Sequence, residues 1–132
     1  MILLGLLGAC VVRNDVSHER PFREIVGETS VVEHPVEIWL SKNPQKGALS
    51  HLEIMRSCVA CSPEHWELVC KLEQGSKVRV LSATYVLERG PGSVSEVLGL
   101  VEVEVPGRGQ TRVQFRWRMG TNNAHVPWLA DG

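Results

Sequence analysis

The residues with the clearest chemical potential are three cysteines and one histidine near the middle of the chain. They are Cys58, Cys61, His65 and Cys70, and their spacing is C-x2-C-x3-H-x4-C. Thiolate and imidazole groups in this number can bind Zn²⁺ tetrahedrally, with the C-x2-C pair as one arm of the site. One interpretation is therefore a cytosolic, zinc-stabilised β module that binds nucleic acid or protein.

A disulfide is the interpretation that we favour for the same cysteines. Cys58 or Cys61 joined to Cys70 would close a loop of about ten residues and stabilise the fold by about 2–3 kcal/mol. In an oxidising compartment the thiols would pair with each other instead of holding a metal ion. We therefore expect one disulfide among these three cysteines, no metal and no cofactor.

The remaining residues with catalytic potential do not form a known motif. The chain has five histidines and several serines, but none of them stands in a nucleophile elbow or a triad signature. Cys61 and His65 are close in sequence, which leaves a Cys/His hydrolase as a further alternative, although the partners of a triad are brought together by the fold. We expect a protein that is not an enzyme, with no catalytic residues.

The first ten residues, MILLGLLGAC, contain a second motif. Met1–Ala9 is uncharged and apolar and ends in small residues, as the back half of a secretion signal does. Leu7-Gly8-Ala9-Cys10 resembles the lipobox of bacterial lipoproteins. The resemblance implies that Cys10 is lipidated, that the segment before it is removed, and that the chain is anchored in a membrane. Val11 stands where an aspartate marks retention at the inner membrane, which implies the outer membrane.

The domain organisation follows from this resemblance and from the charged stretch behind it. Residues 12–24 are rich in charge, so 10–24 is predicted to be the lipid-anchor cysteine and a tether, with 1–9 a truncated signal-like segment. Residues 25–132 would then form a single β domain. The alternative is a buried first strand, ILLGLLGACVV, in a cytosolic domain. The chain has no run of about 20 apolar residues, so we predict no transmembrane helix.

Charge and composition argue against a nucleic-acid protein. The chain has 132 residues, with 14 Lys and Arg against 15 Asp and Glu, and its formal net charge is -1. No overall positive field would attract a polyanion. The only local indication is the set Arg112, Arg116 and Arg118, which the zinc-module alternative would use. We predict no nucleic-acid partner.

The C-terminal half carries the strongest structural pattern. Apolar and charged residues alternate on both sides of a Pro-Gly-Arg-Gly-Gln turn at 106–110, which predicts a β-hairpin. The favoured register places Val103 opposite Val113 and Glu104 opposite Arg112. The whole is predicted to be all-β, a small antiparallel barrel or sandwich built around a C-terminal meander (77–88, 97–105, 111–119). A three-residue apolar step over 48–58 allows one short helix.

These observations together predict a lipid-anchored envelope β domain with a non-catalytic binding or structural role. It would face the periplasm or the cell surface from the outer membrane. Its partners would be the membrane, through the lipid on Cys10, and an envelope protein or polymer. We expect the binding site in the loops or the tail, which are 43–47, 90–96, 106–110 and 125–129.

Overall fold

A computed structural model of the chain describes residues 10–89 and 94–130. These ranges contain ten strands and one 3₁₀ turn, Phe22–Glu24. The strands are β1 (Cys10–Asp15), β2 (Thr29–Val31), β3 (Val36–Ser41), β4 (Leu52–Met55), β5 (Trp66–Leu72), β6 (Lys77–Arg89), β7 (Val94–Val105), β8 (Gly109–Arg116), β9 (Arg118–Gly120) and β10 (Asn123–His125). The prediction of an all-β protein is confirmed.

Eight of these strands form one curved, mixed sheet. Its order is β1-β6-β7-β8-β4-β3-β5, with β2 also paired to β6, while β9 and β10 pair with each other. The pairings are antiparallel except that of β4 with β8, which is parallel at Glu53 and Gln114. The strands β1 and β5 lie at opposite ends of the pairing order, so the fold is barrel-like or sandwich-like without closing. The parallel β4–β8 bridge is the exception in a described sheet whose other pairings are antiparallel, as expected.

The predicted meander is confirmed as β6, β7 and β8, but its predicted register is wrong by two residues. Val101 lies opposite Val113, and Glu102 lies opposite Arg112. The cause is a tighter turn. Gly109 pairs with Val105, so only three residues make the connection, and Gly109 adopts a φ of 74° that glycine tolerates best. Because the shift is even, each side chain keeps its predicted face.

The corrected register gives Gly99 a packing role. Gly99 lies opposite Phe115, and a Cβ atom at this position would overlap the Phe115 ring. Phe115 is fully buried, and its ring centroid lies 5.0 Å from those of Trp117 and Trp128. The absence of a side chain at Gly99 is therefore what lets this aromatic cluster fit against β7.

The core lies on the inner face of the meander and beneath the tail. Trp128 is fully buried and donates a hydrogen bond from Nε1 to Ser30 Oγ at 2.7 Å. The predicted inner wall of the hairpin is buried throughout: Val101, Val103, Val113, Phe115 and Trp117. Burial of such side chains contributes roughly 1.5–3 kcal/mol each before the entropy cost of folding is subtracted.

The segment predicted as a tether is part of the domain. β1 pairs with β6 along its whole length, and Phe22 is buried with its ring 5.0 Å from that of Trp117. The tether prediction for 10–24 is therefore wrong. Polar side chains on β1 point outward while its backbone bonds to the sheet, so composition alone does not identify this strand. The alternative first strand agrees over 10–12; its earlier residues lie outside the described ranges.

The optional helix over 48–58 is also not observed. Leu52–Met55 forms β4, which pairs with β3, and both Leu52 and Ile54 are buried. Pairing with β3 satisfies the backbone groups of this segment, so tertiary context overrides a weak local helix pattern. Within the described part of the chain, no helix has the length and apolar character needed to span a membrane.

Candidate functional site

A polar cleft opens between the 43–50 loop and the strands β4, β5 and β8. Its volume is about 370 Å³, which falls at the small end of the range of roughly 300–1,000 Å³ for small-molecule sites. Most of its lining residues are polar or charged, and Pro44, Ala48 and Trp66 add apolar surface. The lining residues are Ser41, Asn43, Pro44, Gln45, Ala48, Ser50, His51, Glu53, His65, Trp66, Gln114 and Arg116.

The floor of the cleft consists of two buried polar side chains. Glu53 on β4 is 5% exposed and Gln114 on β8 is 4% exposed. Gln114 Nε2 donates to Glu53 Oε1 at 2.8 Å, and Gln114 Oε1 accepts from the backbone N–H of Leu49 at 2.8 Å. Gln114 therefore fixes both the carboxylate and the end of the 43–50 loop.

Arg116 extends this floor toward solvent. Its Nε donates to Glu53 Oε2 at 3.1 Å, and its Nη1 bonds to Glu96 on β7. Burial lowers the pKa of the guanidinium, but the charges of Glu53 and Glu96 outweigh that effect, so the pKa of Arg116 is raised overall. Arg116 therefore stays charged and joins two carboxylates from different strands.

The opposite rim is built around His65, just before β5. Asn43 Nδ2 lies 3.0 Å from His65 Nδ1. Because the Asn43 amide nitrogen can only donate, Nδ1 accepts, and the proton of the neutral ring lies on Nε2. The backbone N–H of Lys42 donates to the carbonyl of His65 at 2.8 Å, which ties this segment to the end of β3.

The 43–50 loop is held against the sheet from behind. Arg13 on β1 donates to the carbonyls of Lys46 and Ala48, at 3.2 and 3.1 Å. Gly47 packs so closely on β6 that an added Cβ would lie 2.5 Å from a methyl carbon of Val86. One wall of the cleft is therefore supported by the first strand of the described chain.

The disulfide prediction is correct in kind and wrong in its partners. Cys58 and Cys61 form the bond, with their Cα atoms 5.3 Å apart. Cys70 keeps a free thiol on β5, and its partial burial raises its pKa. Cys70 is left without a disulfide partner because Cys58 and Cys61 bond to each other, while Cys70 lies within β5 opposite the buried Ile38.

The zinc and hydrolase alternatives lose their key groups. Of the four proposed zinc ligands, Cys58 and Cys61 are bonded to each other and His65 contacts Asn43. Across residues 10–89 and 94–130, no group of three or more His, Cys, Asp or Glu side chains is arranged to hold a metal ion. A hydrolase that uses Cys61 would need the thiol that the disulfide occupies.

The three arginines of the nucleic-acid alternative do not share one surface. Arg112 lies opposite Glu102 on the neighbouring strand, while Arg116 is bound by two carboxylates in the cleft. Arg118 lies in β9 and lines a second groove of about 180 Å³, which Arg56 and Arg116 also line. Arg116 and Arg118 therefore share this groove, whereas Arg112 lies apart from both of them.

The remaining predicted positions are placed as follows. Cys10 begins β1, opposite Arg89 at the end of β6, whereas Leu7, Gly8 and Ala9 lie outside the described ranges. Of the four segments in which a binding site was expected, the 43–47 loop contributes three residues to the cleft wall.

The sequence reasoning missed Glu53 and Gln114, although each left a signal. Glu53 stands alone among the apolar residues of LEIM, and Gln114 stands between Val113 and Phe115. Alternation assigns Gln114 to the outer face, where a polar side chain needs no explanation. Only the 43–50 loop, which covers that face, turns it into the floor of a cleft.

Comparisons of this chain with protein-family models, with curated proteins and with solved structures find no match.

Proposed function

We propose that this chain is a lipid-anchored domain of the bacterial envelope, located at the outer membrane, that binds a small polar ligand in the cleft without transforming it. The anchor is Cys10, and the binding groups are Glu53, Gln114, Arg116 and His65. A ligand carried by an envelope protein or polymer would reach the cleft from the open side of the 43–50 loop.

The observation that carries the binding role is the buried polar floor. Burial of a carboxylate and an amide in a small β domain costs free energy, which their mutual hydrogen bonds only partly offset. Leu52 and Ile54, on either side of Glu53, are ordinary core residues. A polar pair in this position, open to a cleft of about 370 Å³, is typical of a recognition site.

The hydrogen bonds within the floor favour recognition over catalysis. Both carboxylate oxygens of Glu53 accept a hydrogen bond from the protein, one from Gln114 and one from Arg116. A catalytic acid or base needs a proton to exchange, usually beside a nucleophile. The Glu53–Gln114–Arg116 set instead presents a fixed pattern of charge and hydrogen-bonding groups.

One observation supports the anchor: the motif Leu7-Gly8-Ala9-Cys10 is similar to a lipobox. Cys10 lies in β1. Arg13, on the same strand, holds the 43–50 loop through two backbone carbonyls. A lipid on Cys10 would therefore hold the domain, and one wall of its cleft, close to the membrane surface.

Intact-mass spectrometry tests the anchor. The gene is expressed in a bacterium together with its native upstream sequence, beside a Cys10→Ser variant. We expect a wild-type chain that starts at Cys10 and carries fatty-acyl groups, and a variant that carries none. A wild-type chain that keeps Met1 and has no lipid would contradict the anchor.

NMR spectroscopy of the ¹⁵N-labelled domain tests the binding role. A set of small polar molecules of mixed charge is added one at a time. Binding in the cleft predicts shifts concentrated on the side-chain amides of Asn43 and Gln114 and on the backbone around His65. Shifts from every bound molecule that centre on other surfaces would contradict this role.

A further inference from the structure

The ligand class of the cleft rests on its proposed binding role. From the charge balance and hydrogen-bonding pattern of the floor, we infer that the ligand is an uncharged saccharide unit with neighbouring hydroxyl groups, such as a sugar residue of an envelope glycan.

Charge is the first reason. The cleft lining carries one carboxylate, Glu53, and one guanidinium, Arg116, which bind each other; Glu96 also binds Arg116 but does not line the cleft. An anionic ligand would meet the Glu53 carboxylate, and a cationic ligand would meet the Arg116 guanidinium. An uncharged ligand that offers both donors and acceptors avoids both penalties.

The arrangement of donors and acceptors is the second reason. A carboxylate has about four acceptor sites, and the protein uses one on each oxygen of Glu53. Arg116 has five N–H donors, of which Nε and one on Nη1 bind carboxylates. Acceptor and donor capacity therefore remain side by side. Neighbouring hydroxyl groups fit this pair, since one can donate to Glu53 while the next accepts from Arg116.

The walls supply the complementary contacts. His65 presents an Nε2–H donor on the rim, because its Nδ1 accepts from Asn43. The half-buried Trp66, with Pro44 and Ala48, provides apolar surface against which the C–H face of a sugar ring can pack. A polar ring with an apolar face matches a cleft that is polar at its floor and partly apolar at its sides.

An NMR titration of the intact domain with four probes tests the inference. Two probes are neutral saccharides, N,N′-diacetylchitobiose and maltose; the others are choline as a cation and inorganic phosphate as an anion. We expect at least one saccharide to bind with a millimolar or tighter dissociation constant and to shift Asn43, His65 and Gln114 resonances. Choline and phosphate at equal concentration should leave these resonances unchanged.

A matched pair of histidine variants locates the binding. His65→Ala removes the rim donor and should weaken saccharide binding about tenfold, which is the usual effect of losing one ligand hydrogen bond. His34→Ala changes an exposed histidine that bonds to Pro35 and does not line the cleft, so its dissociation constant should stay within twofold of wild type.

The outcomes separate the ligand class from the binding role. Cleft shifts caused by choline or phosphate but by neither saccharide would overturn the saccharide inference and keep the cleft as a binding site. Saccharide shifts away from the cleft, or equal affinities of the two histidine variants, would overturn the inference together with the cleft. If none of the four probes shifts the cleft resonances, the saccharide inference is overturned as well.

Discussion

Two arginines four residues apart on β8 have very different surroundings. Arg112 lies opposite Glu102 on the outer side of the meander. Arg116 is bound by Glu53 from β4 and by Glu96 from β7, at the edge of a cleft. Both look alike in the sequence: Arg112 precedes the buried Val113, and Arg116 lies between the buried Phe115 and Trp117. The difference comes from what covers the sheet beyond β8.

The two arginines differ in how far along the chain their partners lie, and this separation determines the surroundings of each charge. The Arg112–Glu102 pairing lies within one hairpin and leaves both side chains in contact with water. Gln114 and Arg116 reach Glu53 across 61 and 63 residues, and those contacts exist only because β4 docks beside β8. Exposed ion pairs contribute little to stability, whereas buried polar contacts are costly to disrupt. The meander is thus a structural wall, and the cleft is where polar groups are specifically positioned.

The largest loss of stability is expected from a substitution in the buried core of the meander. Phe115→Ala removes a fully buried ring that contacts Trp117 and Trp128, and should lower the free energy of unfolding by about 3–5 kcal/mol. Urea unfolding followed by tryptophan fluorescence measures this. Val59→Ala, at a fully exposed position, is the control and should change the stability by less than about 0.5 kcal/mol. Similar losses in the two variants would contradict the assigned core.

A matched pair of Glu→Gln variants tests the comparison directly. Glu53→Gln weakens the bonds of a buried carboxylate to Gln114 and Arg116 and should cost about 1–3 kcal/mol of stability. Glu102→Gln removes an outer-wall charge opposite Arg112 and should cost about 0.2–1 kcal/mol. Urea midpoints of both variants decide the order. A larger loss for Glu102→Gln would reverse the roles of the two regions.

Loss of the Cys58–Cys61 disulfide should lower the stability by as much as Glu53→Gln does, or by less. Replacing Cys58 and Cys61 together by serine opens a loop with a sequence separation of 3, which the chain-entropy description values at no more than about 2 kcal/mol. The midpoint of unfolding measures the loss. Cys70→Ala should change stability less, because this partly buried thiol has no disulfide partner.

Alkylation of thiols under native conditions tests which cysteines form the disulfide. The raised pKa of Cys70 means that little thiolate is present near neutral pH, so iodoacetamide should modify it slowly without reductant. After mild reduction, Cys58 and Cys61 should be labelled first. Rapid labelling of Cys58 in the unreduced protein, detected by peptide mass spectrometry, would show that the bond is absent.

The smallest effect is expected at the end of β1. Asp15 accepts hydrogen bonds from Ser17, which hold the pKa of this carboxyl below its usual range. The ionised form is therefore favoured by folding. This contribution is present above the ordinary pKa of Asp, roughly 4, and is lost as the pH falls through the lower folded value. The urea midpoints of wild type and Asp15→Asn should thus differ slightly at pH 7 and converge at low pH. A gap that widens on acidification would contradict this.

Local sequence patterns predicted much of the meander and little of the cleft. Period-2 alternation predicted the three meander strands and their inward valines, because one buried face imposes that pattern. The predicted register was wrong at one turn. The sequence around Gly107 and Gly109 is compatible with both a three-residue connection and a five-residue loop. The tether prediction failed because β1 is held by backbone bonds that side-chain polarity does not reveal.

The cleft depends on contacts between distant segments, which no local sequence pattern reveals. The parallel junction of β4 with β8 joins segments about 60 residues apart, and the 43–50 loop covers Gln114 only because Arg13 and β6 hold it there. The spacing of Cys58, Cys61 and Cys70 was visible in the sequence, but the face on which Cys70 lies was not. Once the strands are placed, an isolated glutamate in a buried strand becomes the informative residue.

The most direct measurement is the dissociation constant for a saccharide of two folded variants, Glu53→Gln and Glu102→Gln, each compared with wild type by NMR titration. The saccharide is whichever of N,N′-diacetylchitobiose and maltose binds wild type more tightly. A saccharide held by the Glu53 carboxylate predicts binding at least tenfold weaker for Glu53→Gln, through loss of a charge-assisted hydrogen bond, and within twofold of wild type for Glu102→Gln. Equal affinities in all three proteins would contradict the cleft as the binding site.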